Sequence, residues 1–237
     1  MSPIPRARRP PFPSASASRV VGLDLAGSER RTTGFCFLGP DGRVTTRPLH
    51  TDEEILRAIA EFAPEVVAID APLFLPVGRR TIEDRSGPHL RAADRELLRL
   101  RIRFFPITLG PMRTLTTRGI RLKEALARRG IPSVECYPGA AQDLWGIPRK
   151  QDGLPALRAG LRRRGVTGDI RRPDLTHDEL DAIACALVGR AYLEGDFLAI
   201  GSLEEGLMIL PSRTACERWY RERGARPAEG PPPPRPP

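Results

Sequence analysis

Five acidic residues in this chain of 237 stand where side chains from separate elements could meet: Asp24, Asp70, Glu135 and the pair Asp178 and Asp181. Asp24 falls at the end of the apolar run Arg19 to Leu25, Asp70 follows the apolar run Glu65 to Ile69, and Glu135 ends the short run that begins at Ser133. Asp178 and Asp181 are three apart, a spacing that puts both on one side of a helix. Carboxylates drawn to one place suit hard cations, Mg²⁺ or Mn²⁺ over zinc. Two such ions about 3.5–4 Å apart support phosphodiester hydrolysis, one activating water and the other holding the leaving oxygen. Each acid except Asp181 also has a plainer reading. Asp24 before Ala26-Gly27 and Asp70 before Ala71-Pro72 could be turn residues, Glu135 a strand-end charge, and Asp178 a first-turn acid stabilised by the helix dipole. His177 beside them is either a solvated first-turn side chain or a group that orients a scissile phosphate.

These acids can meet only if strands end side by side. Arg19 to Leu25 reads as a buried strand, Thr33 to Leu38 as a second, and Asp41-Gly42 as a hairpin turn into a third, Arg43 to Leu49. Thr51 with Glu54 three residues on opens a helix to Phe62. Glu65 to Ile69 has the continuous apolar character of a parallel-sheet strand. From Ala71 to Leu115 five prolines bracket one helical piece, about Leu90 to Arg101, which reads as an insertion after the fourth strand. A helix over Thr117 to Arg129, the strand at Ser133, a final helix over Thr176 to Leu193 and a small strand, Gly206 to Leu210, complete the order. The last helix carries one apolar stripe, Leu180, Ile183, Ala184, Leu187 and Val188. Three strands thus end at or near an acid, and in open α/β sheets ligands bind at the carboxyl ends of strands.

Composition bounds this reading. Residues 1–18 mix Pro, Arg, Ser and Ala, and residues 223–237 end in a proline run, so both read as tails without a core, with 212–222 as a short helical extension and 19–211 as one domain. The formal charge is +9. Arg6, Arg8 and Arg9, together with six Arg against three Glu from Ser212 onward, place most of that excess outside the domain. The remaining balance is compatible with a polyanionic substrate. Arg162-Arg163-Arg164 reads as a solvated helix face and turn, and Asp94-Arg95-Glu96 as a surface charge cluster. Cys36, Cys136, Cys185 and Cys216 lie far apart without a C-x-x-C pair, which points to buried thiols and away from zinc. No apolar run approaches the ~20 residues of a membrane helix, and the sequence reads as cytoplasmic.

The strings GLDLAG, VAIDAPL, RFFPITLGPMRTLTTRG, VECYPGAAQDLWGIPRK and HDELDAIACALVG, in this order, resemble the DUF429 family, predicted nucleases with a ribonuclease H-like fold. The resemblance spans about Val20 to Pro211. It implies a five-stranded mixed sheet flanked by helices, related to Holliday-junction resolvases of the RuvC type. It also implies metal-ligating roles for Asp24, Asp70, Glu135 and Asp181, with Asp178 beside them, and leaves open which of Asp70 and Glu135 is the direct ligand. Within the matched strings Arg113, Arg149 and Lys150, with His177, are candidates to bind substrate. Lys150 stands out in a chain with almost no lysine, and a flexible ammonium suits a phosphate. The partners implied are DNA or RNA and, as in related resolvases, a second copy of the chain. Two other classes compete. One is a scaffold or nucleic-acid-binding protein of the same fold without cleavage. The other is an actin-like or sugar-kinase ATPase, which would need a second copy of the β-β-β unit.

Overall fold

The structure, a computed structural model, describes residues 18–212 and 214. The expected tails and most of the 212–222 extension, with Cys216, therefore lie outside the described residues. The chain opens with β1 (Val20–Asp24), β2 (Thr33–Leu38) and β3 (Arg43–Leu49), then α1 (Asp52–Phe62) and β4 (Val66–Asp70). It continues through α2 (Ala92–Arg99), α3 (Gly110–Ala127), β5 (Ser133–Cys136), α4 (Pro138–Trp145) and α5 (Leu154–Arg162). The two-residue β6 (Thr167–Gly168), α6 (His177–Glu194), β7 (Phe197–Ser202) and β8 (Gly206–Pro211) complete it. No described helix is long and apolar enough to cross a membrane.

One mixed sheet runs β6-β3-β2-β1-β4-β5-β8-β7. Its middle is the expected five-stranded ribonuclease H-like arrangement: β1, β2 and β3 form an antiparallel meander, and β1, β4 and β5 run parallel. The sheet is wider than expected, with eight strands. β6 pairs two residues of β3, while β8 joins β5 in parallel and folds back antiparallel with β7. The hairpin supplies a partner for what would otherwise be an open edge at β5.

Side-chain alternation divides the strands between two layers. Val21 and Leu23 of β1, with Val67 and Ile69 of β4, pack on the α1 and α3 side. Val20 and Val66 face α6 on the other side, where Leu180, Ile183 and Leu187 meet them. The glycines in this layer decide how near α6 comes. A Cβ on Gly22 would stand 2.2 Å from the carbonyl oxygen of Ala182, and one on Gly34 only 2.0 Å from that of Asp178. Both contacts are with backbone, so any side chain at either place would force the helix off the sheet. The same close approach carries the first turns of α6 to the end of β1, where Asp24 pairs with Gly34 across the strands. α6 is broader in its burial than a single stripe: every residue from Glu179 to Gly189 is buried, because α4 and α5 cover the side away from the sheet.

Candidate metal and phosphodiester site

β1 and β4 place their terminal carboxylates side by side. Asp24 and Asp70 are partners in the parallel register, so both project from the α6 face of the sheet. Neither accepts a hydrogen bond from any described residue. Partial burial pushes both up, and their charged neighbours add to it. Asp24 is held well above the usual carboxylate range by desolvation first and then by Asp70 and Asp181, against the pull of Lys150. Asp70 is pushed up to about 8 by desolvation and then by Asp181, again opposed by Lys150.

α6 supplies the other two acids. Thr176 caps it, accepting from the Glu179 amide while the Glu179 carboxylate accepts from the Thr176 amide, which fixes the first turn and everything on it. Asp181 is buried and held from two sides, with Gln142 Nε2 donating to Oδ1 at 2.7 Å and Lys150 Nζ 2.9 Å from Oδ2. Asp178 is one-fifth exposed and lies 2.7 Å from His177 Nδ1, whose ring is mostly in solvent. Burial works to lower the Lys150 ammonium, but Asp181, Asp24 and Asp178 outweigh it, and the net direction is up. One ammonium therefore serves at least four carboxyl groups.

Glu135 goes elsewhere. It pairs with Ile69, one residue before Asp70, so alternation turns it to the opposite face of the sheet. There Arg91 Nη1 donates to both its oxygens at 2.8 Å, and the Leu73 amide donates to Oε2 at 2.8 Å. Desolvation drives the Glu135 pKa upward more than these donors draw it down, while its carboxylate neighbours hold Arg91 charged. With donors at both oxygens and no acceptor for a carboxyl proton, the contacts are those of an ionised carboxylate. Asp94 completes the buried triad, its oxygens accepting from Arg91 Nη2 at 2.8 Å and Nε at 3.2 Å. The reading of Asp94-Arg95-Glu96 as surface charges is corrected here for Asp94, which is only 2% exposed because α2 turns it inward onto Arg91.

The expected basic residues divide likewise. Arg149 is committed to Asp143, through two hydrogen bonds of 2.6 and 2.8 Å, and lies over the Tyr137 ring. Arg113 sits half-buried in the first turns of α3, outside the lining of the cleft beside Asp24. Lys150 and His177 do line that cleft, which has a volume of about 520 Å³. Sequence reasoning missed Gln142 and Arg91. The signal for Gln142 was a lone amide in an Ala-rich turn; Arg91 carried none.

The donor set is all oxygen and carries more negative charge than its one ammonium balances, which fits a hard divalent cation in chemistry. It does not fit in present side-chain positions: among the described residues no three His, Cys, Asp or Glu are grouped closely enough to hold a metal ion. Lys150 stands among these carboxylates as their cation. The metal-free protein should therefore lose stability with rising pH. An unfolded Asp titrates near 3.9, so between about 4 and the folded value of about 8 the native state holds a proton at Asp70 that the unfolded chain does not. Stability from this group is highest at the acidic end, declines across that window and is level above it. Urea unfolding in EDTA across that range should show this slope in wild type and a shallower one in Asp70→Asn. Parallel curves would contradict it.

A model of the family described as protein of unknown function DUF429 matches residues 22–205. No curated protein matches the sequence. Among solved structures, T. thermophilus RuvC in complex with Holliday junction substrate is similar at a TM-score of 0.45 with 15% identity, covering 75% of this chain and 96% of that one. A Thermus thermophilus RuvC structure is similar at a TM-score of 0.40 with 16% identity over the same shares.

Proposed function

The chain belongs to the DUF429 family, and from that premise we propose that it is a divalent-metal-dependent nuclease whose metal ligands would be Asp24, Asp70 and Asp181, with Asp178 at the rim, once Lys150 leaves Asp181 and the carboxylates draw together around the ion. The observation that carries this reading is the register of Asp24 with Asp70, two half-buried carboxylates without hydrogen-bond donors, facing a third on α6. Such an arrangement is costly unless a cation or protons neutralise it. Bound Mg²⁺ or Mn²⁺ would supply Lewis-acid polarisation of a phosphate and a water of lowered pKa.

The chain's own groups do the positioning. Gln142 fixes the orientation of Asp181 through Oδ1 and leaves Oδ2 to a cation. Lys150, about one-third exposed, is able to leave Asp181 for a phosphate oxygen. Glu135 acts from the other face, where its bonds to Arg91 and Leu73 hold β5 and the chain after β4 in place behind Asp70. On this reading the direct ligand is Asp70, and Glu135 supports it from behind.

The test is a panel of labelled single-stranded, duplex and branched DNA and RNA, incubated with Mg²⁺, Mn²⁺ or EDTA. Cleavage should need the metal. Asp70→Asn should reduce it by more than about 100-fold, the upper range for residues that only support a ligand, and Glu135→Gln by less than that. The reverse order would move the metal to Glu135. Cleavage that persists in EDTA would refute the reading.

A further inference from the structure

The cleft beside Asp24 has a second wall that none of the acids supply. It runs between the β1–β2 loop and the first turns of α3, with Asp24, Lys150 and Asp178 along its floor. From the loop, Arg30 and Arg31 line it, both exposed and neither in an ion pair among the described residues. That distinguishes them from the arginines around the site whose charge is already spent: Arg149 on Asp143, Arg118 on Asp52, and Arg91 on Glu135 and Asp94. The loop's own acid is also withdrawn, because Glu29 accepts a hydrogen bond from the Asp52 amide at the start of α1. A turn closed by the Arg31 amide donating to the Ser28 carbonyl, at 3.1 Å, holds the two guanidiniums together on one short segment.

We infer that Arg30 and Arg31 form the phosphate-binding wall of this cleft, which takes one nucleic-acid strand by its backbone and does not read its bases. The inference rests on the nuclease reading for the role of the floor, and on the loop alone for the wall. The cleft's volume of about 520 Å³ lies within the range of pockets for small-molecule ligands, roughly 300–1,000 Å³, which suits a short stretch of one strand. The two walls nearly touch at Gly27, where a Cβ would lie 3.0 Å from Thr114 Oγ1, so the cleft is narrow there. No Phe, Tyr or Trp lines it, and the one imidazole that does, His177, lies against Asp178. With none of the large stacking rings present, the cations and hydroxyls dominate, and these contact phosphate and sugar, which carry no sequence information.

The experiment uses the full chain in EDTA, so that nothing is cleaved, with fluorescein-labelled oligo-dT, oligo-dA and mixed-sequence strands of about 20 nucleotides, followed by anisotropy from about 50 to about 300 mM KCl. Arg30→Ala/Arg31→Ala should weaken binding about tenfold or more. It should also reduce the slope of log K against log salt by about 1.4, two contacts at ~0.7 each for a single strand. Arg30→Lys/Arg31→Lys should keep most of the slope, and the three strands should bind alike. An unchanged slope, a strong preference for one base composition, tighter binding of duplex than of single strand, or no binding by wild type would each overturn the inference. The Mn²⁺-dependent rise in melting temperature should be the same in wild type and the alanine variant. Loss of that rise in wild type with the arginine-dependent slope intact would sink the metal reading and leave the wall standing.

Discussion

Arg91→Ala is expected to lower the unfolding free energy by about 3–5 kcal/mol, the cost of stranding buried charge by removing its partner. Arg91 is 4% exposed and serves two carboxylates that are each 2% exposed, Glu135 and Asp94. Truncation would leave both without their guanidinium in a place water does not reach. Glu135 would retain the Leu73 amide, and Asp94 the Arg91 backbone amide, which donates to Oδ2 at 2.9 Å. Those single bonds do not balance two negative charges. The loss should be partly recovered in Arg91→Ala combined with Glu135→Gln, since the second change removes one of the stranded charges. Urea denaturation of the three proteins checks this. A single variant within about 1 kcal/mol of wild type would mean that the triad adds nothing to stability.

Much of the frame was legible because the local chemistry agreed with the fold. β2 and β3 have the expected bounds, and β1 and β4 differ from theirs by a residue at either end. The capping boxes Thr51/Glu54 and Thr176/Glu179 mark the starts of α1 and α6. Pro111, one of the five prolines read as bracketing the insertion, lies instead in the first turn of α3, and Pro138 opens α4, positions where a missing amide hydrogen costs nothing. α3 therefore begins at Gly110, seven residues before the expected start, and α4 was not anticipated. The β7 and β8 hairpin shows the same limit, since Phe197–Ser202 has a strand's pairing without a clear alternation of burial.

At the site, sequence alone identified acids at strand ends but not the face each one takes. Asp24, Asp70 and Glu135 look equivalent by position. Only the register separates them, because Glu135 pairs with Ile69 and not with Asp70. No local pattern reports a one-residue offset between parallel strands, and in a β-strand that offset reverses the face. The partners of these groups are similarly hidden by distance along the chain. Arg91 meets Glu135 from 44 residues away, and Gln142 meets Asp181 from 39. The opposite case is Arg162 and Arg163, which fall at the exposed end of α5, as their composition had suggested.

Asp24→Asn is expected to abolish metal-dependent hydrolysis and to stabilise the protein when metal is absent. Asp24 is crowded by Asp70, Asp181 and Asp178 and lifted well above the usual carboxylate range. At neutral pH the folded protein must therefore either take up a proton there or hold the repelled charge, and both work against folding. Asparagine keeps the shape without the charge, so the melting temperature in EDTA should rise. Metal should stabilise wild type and leave the variant nearly unchanged, because a ligand that binds only the native state stabilises by about 2.7 kcal/mol at a hundredfold excess over Kd. Wild type has the charge to bind it; the variant lacks the carboxylate at the centre of the set. The measurement is a set of four melting curves, wild type and Asp24→Asn, each in EDTA and in excess Mn²⁺. The account predicts a large Mn²⁺-dependent rise in wild type, little or none in the variant, and the variant above wild type in EDTA. An equal Mn²⁺ response in the two proteins, with the variant no more stable in EDTA, would contradict it and return Asp24 to an ordinary turn residue.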